Sequence, residues 1–432
     1  MAKSVRLFHL GCRVNQYELA AMGQLLEKSG EFKIFASTSP DLCLINTCCV
    51  TNRAGMQSRQ LIRQIVREFP AAIIIATGCY AQLDTKTTSS IEGLHGILGN
   101  AHKQDIFDFA NCVFQSDTLQ VKCPAINNEK FFHELPPDTL ANRTRPVVKI
   151  QDGCDAFCSY CIVPFVRGRS RSLPPERILK QINTLAQKGF YEIVISGIHI
   201  GQYGLDLSPK TNLEALLFRL VDSPISKIRL SSIEPTEVTD QMIRLVAEHS
   251  KFCRHFHIPL QSGDNTILKK MDRTYTTDLF AEKVYAIRKH IPEAAIGADV
   301  IVGFPGETQE NFERTFSLLK KLPVTYLHVF PYSSRPGTRA ADLPNAVNSS
   351  IIKERAKRLR ALSAAKQKQF IAQFVGKELD VILEERKDNT YLKGTSDNYI
   401  SVFVSENEVL LHTPVRVRIR SASGQALIDN IL

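Results

Sequence analysis

Three cysteines, Cys154, Cys158 and Cys161, stand in the run Gly153-Cys-Asp-Ala-Phe-Cys-Ser-Tyr-Cys-Ile162. Gaps of three and then two residues fold their thiolates into one compact loop. Iron–sulfur cubanes normally take four cysteines. Three of them, with no fourth close by, leave one iron open to an exchangeable ligand, which suits chemistry better than electron storage. Zinc is one alternative, but a structural zinc site needs four ligands, and no His or Cys stands at finger-like spacing. Three unrelated core cysteines are the other.

A chain of 432 residues can bury two or three separate cores. Its hydrophobic content of 44% and charged content of 23% are those of ordinary globular protein. No apolar run approaches the ~20 residues of a membrane span. The start, Met-Ala-Lys-Ser-Val-Arg-Leu, leads into a strand without a signal-peptide core. Eleven cysteines without an export signal argue for metal over disulfides, so a cytoplasmic location is expected. The net charge of +10 suits a polyanionic partner, although basic proteins without nucleic-acid ligands are common.

Residues 1–115 alternate strand and helix, with strands expected at Ser4–Leu10, Leu42–Asn46 and Ala72–Ala76 and helices near 16–29 and 52–68. This is an open α/β domain by pattern. Residues 116–144, with Pro124, Pro136 and Pro137, read as a linker. From 145 to 373 six β/α units repeat, with strands expected at Val147–Gln151, Glu192–Ser196, Lys227–Ser231, His255–Pro259, Gly297–Val302 and Leu327–Pro331. Six such units with one handedness of crossover curl into a partial (β/α)6 barrel. A helix from Ile351 to about Gln373 closes it, and its Lys353–Arg360 stretch is a basic surface or simply a solvated face. Residues 374–432 read as a small antiparallel β-barrel, with strands at Leu379–Leu383, Tyr399–Val404, Val409–Leu411 and Val415–Ile419. Arg416, Arg418 and Arg420 share one strand face there, as a row of phosphate contacts or as an exposed polar face.

Cys12, Cys48 and Cys79 each follow an expected strand of the first domain. Parallel strands would put all three at the carboxyl edge of the sheet, where α/β folds build their sites. Glycine precedes Cys12 and Cys79 and permits tight turns. A second three-cysteine cluster is the reading this repetition favours, with structural cysteines as its alternative. Cys49 is expected to point away from Cys48, and Cys43, Cys112, Cys123 and Cys253 to be inert.

Gly11-Cys-Arg-Val-Asn-Gln-Tyr-Glu18, Ile45-Asn-Thr-Cys48 and Gly78-Cys-Tyr-Ala-Gln82 resemble the amino-terminal domain of the radical S-adenosylmethionine (SAM) methylthiotransferases. Gln151–Pro164 followed by Arg167-Gly-Arg169 resembles their central signature, and His257–Gly263 and Asp299–Thr308 are similar to their barrel motifs. The tail more loosely resembles the RNA-binding TRAM domain. Within the family, Val14–Glu18, Ser196–Gly201 and Ser231–Pro235 look most like the branch acting on N6-threonylcarbamoyladenosine in tRNA. Cys49 departs from the pattern, standing where the family has a variable residue.

The resemblance implies two [4Fe-4S] clusters, on Cys154/Cys158/Cys161 and on Cys12/Cys48/Cys79. It also implies two uses of SAM, as radical source and as methyl donor. The second cluster would hold the sulfur to be inserted at adenosine C2, just 3′ of the anticodon. A radical is needed because that aromatic C–H bond offers neither an acidic proton nor a leaving group. Gly197–Gly201 is placed like the family's contact to the SAM amino group and Tyr160 like its adenine platform; turn glycines and a core aromatic are the plain alternatives. Glu234, Gln261 and Asp299, polar residues at expected strand ends, are expected to line the pocket, with no role the sequence assigns. Implied partners are tRNA, an electron donor and a sulfur source, with no membrane. N6-isopentenyladenosine or a ribosomal protein as substrate, and a non-catalytic RNA-binding iron–sulfur protein, are the competing readings.

Overall fold

A computed structural model describes residues 2–35, 37–137, 144–387, 391–405 and 411–431. The run Leu42–Thr47 is buried at every position, which both faces of a central parallel strand require. It sits inside a six-stranded parallel sheet ordered Phe32–Ile34, Lys3–His9, Leu42–Thr47, Ile73–Gly78, Gly96–Leu98, Gln120–Lys122. Helices Arg13–Lys28 and Asn52–Glu68 pack on it, the second opened by a Thr51 side chain that accepts from the Ala54 amide. The last strand, Gln120–Lys122, falls where the sequence reads as linker. Three residues are too few to show a period, and only edge pairing with Gly96–Leu98 makes them a strand.

Six more parallel strands follow in sequential order. Val147–Lys149, Glu192–Ser196 and Lys227–Leu230 form one run, and His255–His257, Ala295–Val302 and Tyr326–Pro331 the other. A single bridge between Ile228 and Phe252 joins them into an open barrel. Its outer face and six covering helices share one apolar core that includes Ile193, Ile195, Ile228, Phe256, Val300 and Leu359. The strand expected at Val147–Gln151 breaks after Lys149. Gln151–Asp152 turns away and pairs antiparallel with Arg171–Ser172, so the cysteine loop is closed off as the tip of a small hairpin.

The helix Ser349–Ala372 lies along the last barrel strand. Its basic stretch is partly internal: Arg355 is buried and donates to Glu307 Oε2 at 2.6 Å, and Arg358 pairs with Glu313 while lying over Phe312 and Phe316. Lys353, Lys357 and Arg360 remain exposed.

The tail is a closed five-stranded barrel of Glu378–Lys387, Tyr391–Ser396, Ser401–Val404, Pro414–Ile419 and Gln425–Ile431. Four of its pairings are antiparallel, and Ser401–Val404 with Gln425–Ile431 is parallel. Of the strand expected at Val409–Leu411, Val409 and Leu410 lie outside the described residues and Leu411 is in a turn. The arginine row is partly spoken for: Arg416 Nε donates to Asp380 Oδ1 at 2.9 Å, and Arg418 pairs with Glu378 and Asp429. Arg229, on the inner side of the large barrel, binds Glu192 and donates to the carbonyls of Ser396 and Asp397, each at 3.0 Å. Tyr399 stacks on His255 with centroids 4.4 Å apart, so the small barrel plugs the floor of the large one.

Candidate active site between two cysteine loops

Because the first sheet is parallel, Cys12, Cys48 and Cys79 all emerge at its carboxyl edge. Cys12 caps the helix Arg13–Lys28 and is exposed, whereas Cys48 and Cys79 are buried. Asn15 ties the loops together, its Nδ2 donating to the carbonyls of Leu10 and Thr47, each at 2.9 Å. Gly11 has φ +98°, and a Cβ there would lie 2.7 Å from Cys48 Sγ, so the close approach requires glycine. Burial, then the neighbouring Cys79, pushes the Cys48 thiol up to about 11.

Cys49 does not point away. Its strand ends at Thr47, so period-two alternation no longer governs it, and its thiol turns onto Cys79. A hydrogen bond from Cys49, outweighing burial and helped by Arg167, holds the Cys79 thiol below its usual range.

In the barrel loop, Cys158 is buried while Cys154 and Cys161 are half-buried. Gly153 has φ +76°, and a Cβ there would overlap the Arg169 carbonyl. Arg273 Nη1 donates to Cys158 Sγ at 3.0 Å and pairs with Glu234 through its other nitrogen. His199 Nδ1 lies 3.4 Å from Cys154 Sγ, and its Nε2 lies 2.7 Å from Glu237. Burial would lower the His199 pKa, but Cys154 and Glu237 outweigh it and raise it to about 10. Burial, with Cys158 and Cys154 nearby, pushes the Cys161 thiol up to about 12.

Gln151 Oε1 accepts from the amides of Ile198 and His199 and so shapes the Gly197–Gly201 loop. A Cβ on Gly197 would come 2.8 Å from the Gln151 carbonyl, and one on Gly201 would overlap the Glu237 carboxylate. Tyr160 packs beside Ile267, Met271 and Phe304. Gln261 is bridged to Val300 with φ +64°, and Asp299 sits between His257 and His328.

The two cysteine loops meet. The short helix Cys79–Leu83 packs on the short helix Val163–Arg167 that follows Cys161. Beneath them lies a buried ionic network. Glu18 accepts from Lys103, from Lys149 at 2.7 Å and from both Arg167 terminal nitrogens. Arg167 also reaches Asn15 at 2.7 Å and Asp152 at 3.1 Å. Two carboxylates face three cations, and Arg171 stands 3.6 Å from Asp152 as a fourth. The surplus positive charge lies beside Cys79, where thiolates need it. Three thiols at each site, near enough for each site's charges to act on one another, with this surplus beneath, fit a three-thiolate iron–sulfur cluster. None of the network was singled out for this role from sequence, although Asn15, Glu18, Asp152 and Arg167 lie within the quoted motifs; Lys103 and Lys149 lie outside them.

The Radical SAM superfamily profile matches residues 148–319, and the uncharacterized protein family UPF0004 matches residues 4–99. The threonylcarbamoyladenosine tRNA methylthiotransferase MtaB of Bacillus subtilis is 38% identical, over 96% of this chain and 93% of its own. The chain belongs to the radical SAM methylthiotransferase family. A tRNA-2-methylthio-N(6)-dimethylallyladenosine synthase of Pelotomaculum thermopropionicum is also similar to this methylthiotransferase, at 32% identity over 97% and 96% of the two chains. Among solved structures, the radical SAM methyltransferase TsrM of Kitasatospora setae shares the fold, with a TM-score of 0.60 over 79% of this chain and 77% of its own at 15% identity. As a radical SAM enzyme, this methylthiotransferase works with SAM and [4Fe-4S] clusters. No helix among the described residues is long and apolar enough to cross a membrane.

Proposed function

We propose that this enzyme inserts a methylthio group at C2 of N6-threonylcarbamoyladenosine at position 37 of tRNA. One observation carries the choice of nucleoside. Five relatives at 33–38% identity, from Bacillus subtilis to Thermotoga maritima, are named for that activity, while those named for dimethylallyladenosine stand at 32%. The net charge of +10 supports a nucleic-acid substrate over a ribosomal protein side chain. A cytoplasmic location follows from that substrate, and an electron donor and a sulfur source are its further partners.

Cys154, Cys158 and Cys161 hold one cluster in this reading and Cys12, Cys48 and Cys79 the other. The clusters and SAM supply the radical and sulfur chemistry that a C–H bond without an acidic proton demands. The chain's own residues do the rest. Arg273 and His199 place donors on Cys158 and Cys154, which neutralises thiolate charge and fixes the loop. Gln151 shapes Gly197–Gly201 toward the SAM amino group, Glu237 beside Gly201 offers it a carboxylate, and Tyr160 offers a face to the adenine. Arg167 and Glu18 hold the two loops at one spacing, so both reaction centres face one substrate.

Mass spectrometry of tRNA nucleosides from a deletion strain tests the reading. N6-threonylcarbamoyladenosine should persist, its 2-methylthio form should vanish, and 2-methylthio-isopentenyladenosine should be unchanged. Loss of the isopentenyl product instead would leave the enzyme class standing and overturn the substrate.

A further inference from the structure

Side chains of the last three barrel strands alternate between the core and the lumen. Phe256, Ala298, Val300 and Leu327 enter the core under the helices. His257, Asp299 and His328 therefore share the opposite, inner face. Asp299 and His328 are direct partners in the strand register, and His257 pairs with Gly297, two residues before Asp299. His257 Nε2 lies 3.0 Å and His328 Nδ1 3.2 Å from the same Asp299 oxygen, and all three donor atoms fall within 4.8 Å of one another.

Hydrogen bonding accounts for the His328 side of this cluster, where Nδ1 meets Asp299 Oδ1 at 3.2 Å, but not for all of it. His257 Nε2 is buried and makes no properly directed hydrogen bond, despite its closeness to Asp299. The other ring nitrogen is engaged: Ser232 Oγ lies 2.6 Å from His257 Nδ1. One imidazole nitrogen fixed by an outer hydrogen-bond partner leaves the other oriented as a ligand, as around metal-binding histidines, and here it points to Asp299 at 3.0 Å.

We propose that His257, Asp299 and His328 form a mononuclear site for a divalent transition metal of the zinc or iron(II) class. Two imidazoles and one carboxylate select such borderline cations over magnesium or calcium. Bonds of about 2.1 Å to one tetrahedral ion would set donor atoms roughly 3.4 Å apart, close to the two nitrogen–oxygen spacings of 3.0 and 3.2 Å. Three ligands from one wall leave the remaining positions open to the lumen. An oxygen donor is the ligand those positions take. The threonylcarbamoyl group carries carboxylate, hydroxyl and ureido oxygens, whereas an isopentenyl group carries none. That last step rests on the substrate proposed above; the metal site does not.

The test uses holoenzyme whose cysteine sites have been filled anaerobically with iron and sulfide. Zn2+ is added as the probe, and bound zinc is counted by elemental mass spectrometry after dialysis. One zinc per chain should bind, with at least tenfold weaker affinity in His328→Ala. Ser232→Ala, a change at an exposed position, should weaken binding by about tenfold through His257 alone. Unaltered iron content reports that each variant has kept its fold. Equal zinc uptake by wild type and both variants would overturn the site. With the site occupied, N6-threonylcarbamoyladenosine nucleoside should raise zinc affinity and isopentenyladenosine should not. Equal effects of the two nucleosides would overturn the ligand assignment and leave the metal site intact.

Discussion

Arg167 grips Glu18 with both terminal nitrogens, at 2.7 and 3.0 Å, across the seam between the first sheet and the barrel. Both side chains are buried, and each follows or precedes a cysteine loop by only a few residues. Removing one partner from such a pair leaves an uncompensated charge in a low dielectric. Arg167→Met should therefore destabilise the chain by about 3–5 kcal/mol in chemical denaturation. A loss under about 0.5 kcal/mol would mean that the network is not held as described.

The same network sets an acid limit. Burial alone would raise the Glu18 pKa, but Arg167, Lys103 and Lys149 outweigh it and hold the carboxyl well below its usual range. Asp152 is lowered likewise, against burial, by Lys149, Arg167 and Arg171. A carboxyl depressed on folding stabilises the chain fully above its unfolded pKa and loses that stabilisation as the pH falls toward the folded value. The stability gap between wild type and Glu18→Gln should thus be constant near neutrality and narrow below about pH 4.5. Denaturant titrations across that range check it, and a gap that widens on acidification would refute it.

Iron content separates the cysteine sites. Anaerobically reconstituted enzyme should hold about eight irons, four in each cubane. Joint replacement of Cys154, Cys158 and Cys161 by Ala should halve that number and abolish SAM cleavage. Cys12→Ala, Cys48→Ala or Cys79→Ala should leave SAM cleavage measurable while the methylthio product disappears.

Gly11→Ala is a narrower probe. Its new methyl would press on Cys48 Sγ from a backbone with φ +98°, without removing any thiol. Iron should fall from about eight to about four, while cleavage of SAM continues. Full iron loading of this variant would show that the Cys12–Cys48 loop adjusts freely.

Cys49→Ala removes the thiol resting on Cys79 and leaves three cysteines at that edge. Iron content should stay near eight, because the proposed ligand set makes Cys49 a neighbour rather than a ligand. A fall as large as that of Cys48→Ala would exchange the two roles.

Cys12, Cys48 and Cys79 were legible as a set because each follows an expected strand, and Cys154, Cys158 and Cys161 because of their close spacing in one loop. The ionic network was not. Lys103, Lys149 and Arg167 come from three separate stretches, and only packing of the first sheet on the barrel brings them to Glu18. Cys49 was misjudged because strand alternation was carried past Thr47, where the strand stops. Tyr391–Ser396 and Gln425–Ile431 escaped notice because their polar positions blur the period, and closure of the small barrel is what orders them. His257 and Asp299 open quoted motifs, but nothing local tied them to His328, since the meeting of the three depends on the register of three strands.

Arg229 and Tyr399 fasten the small barrel to the floor of the large one through two carbonyls and a ring stack. Were the small barrel the part that grips tRNA, as its resemblance to a TRAM domain implies, these contacts would make it a ruler. A strand held there would be presented to the mouth at one reach, so selection among nucleotides would begin with distance before any base is read.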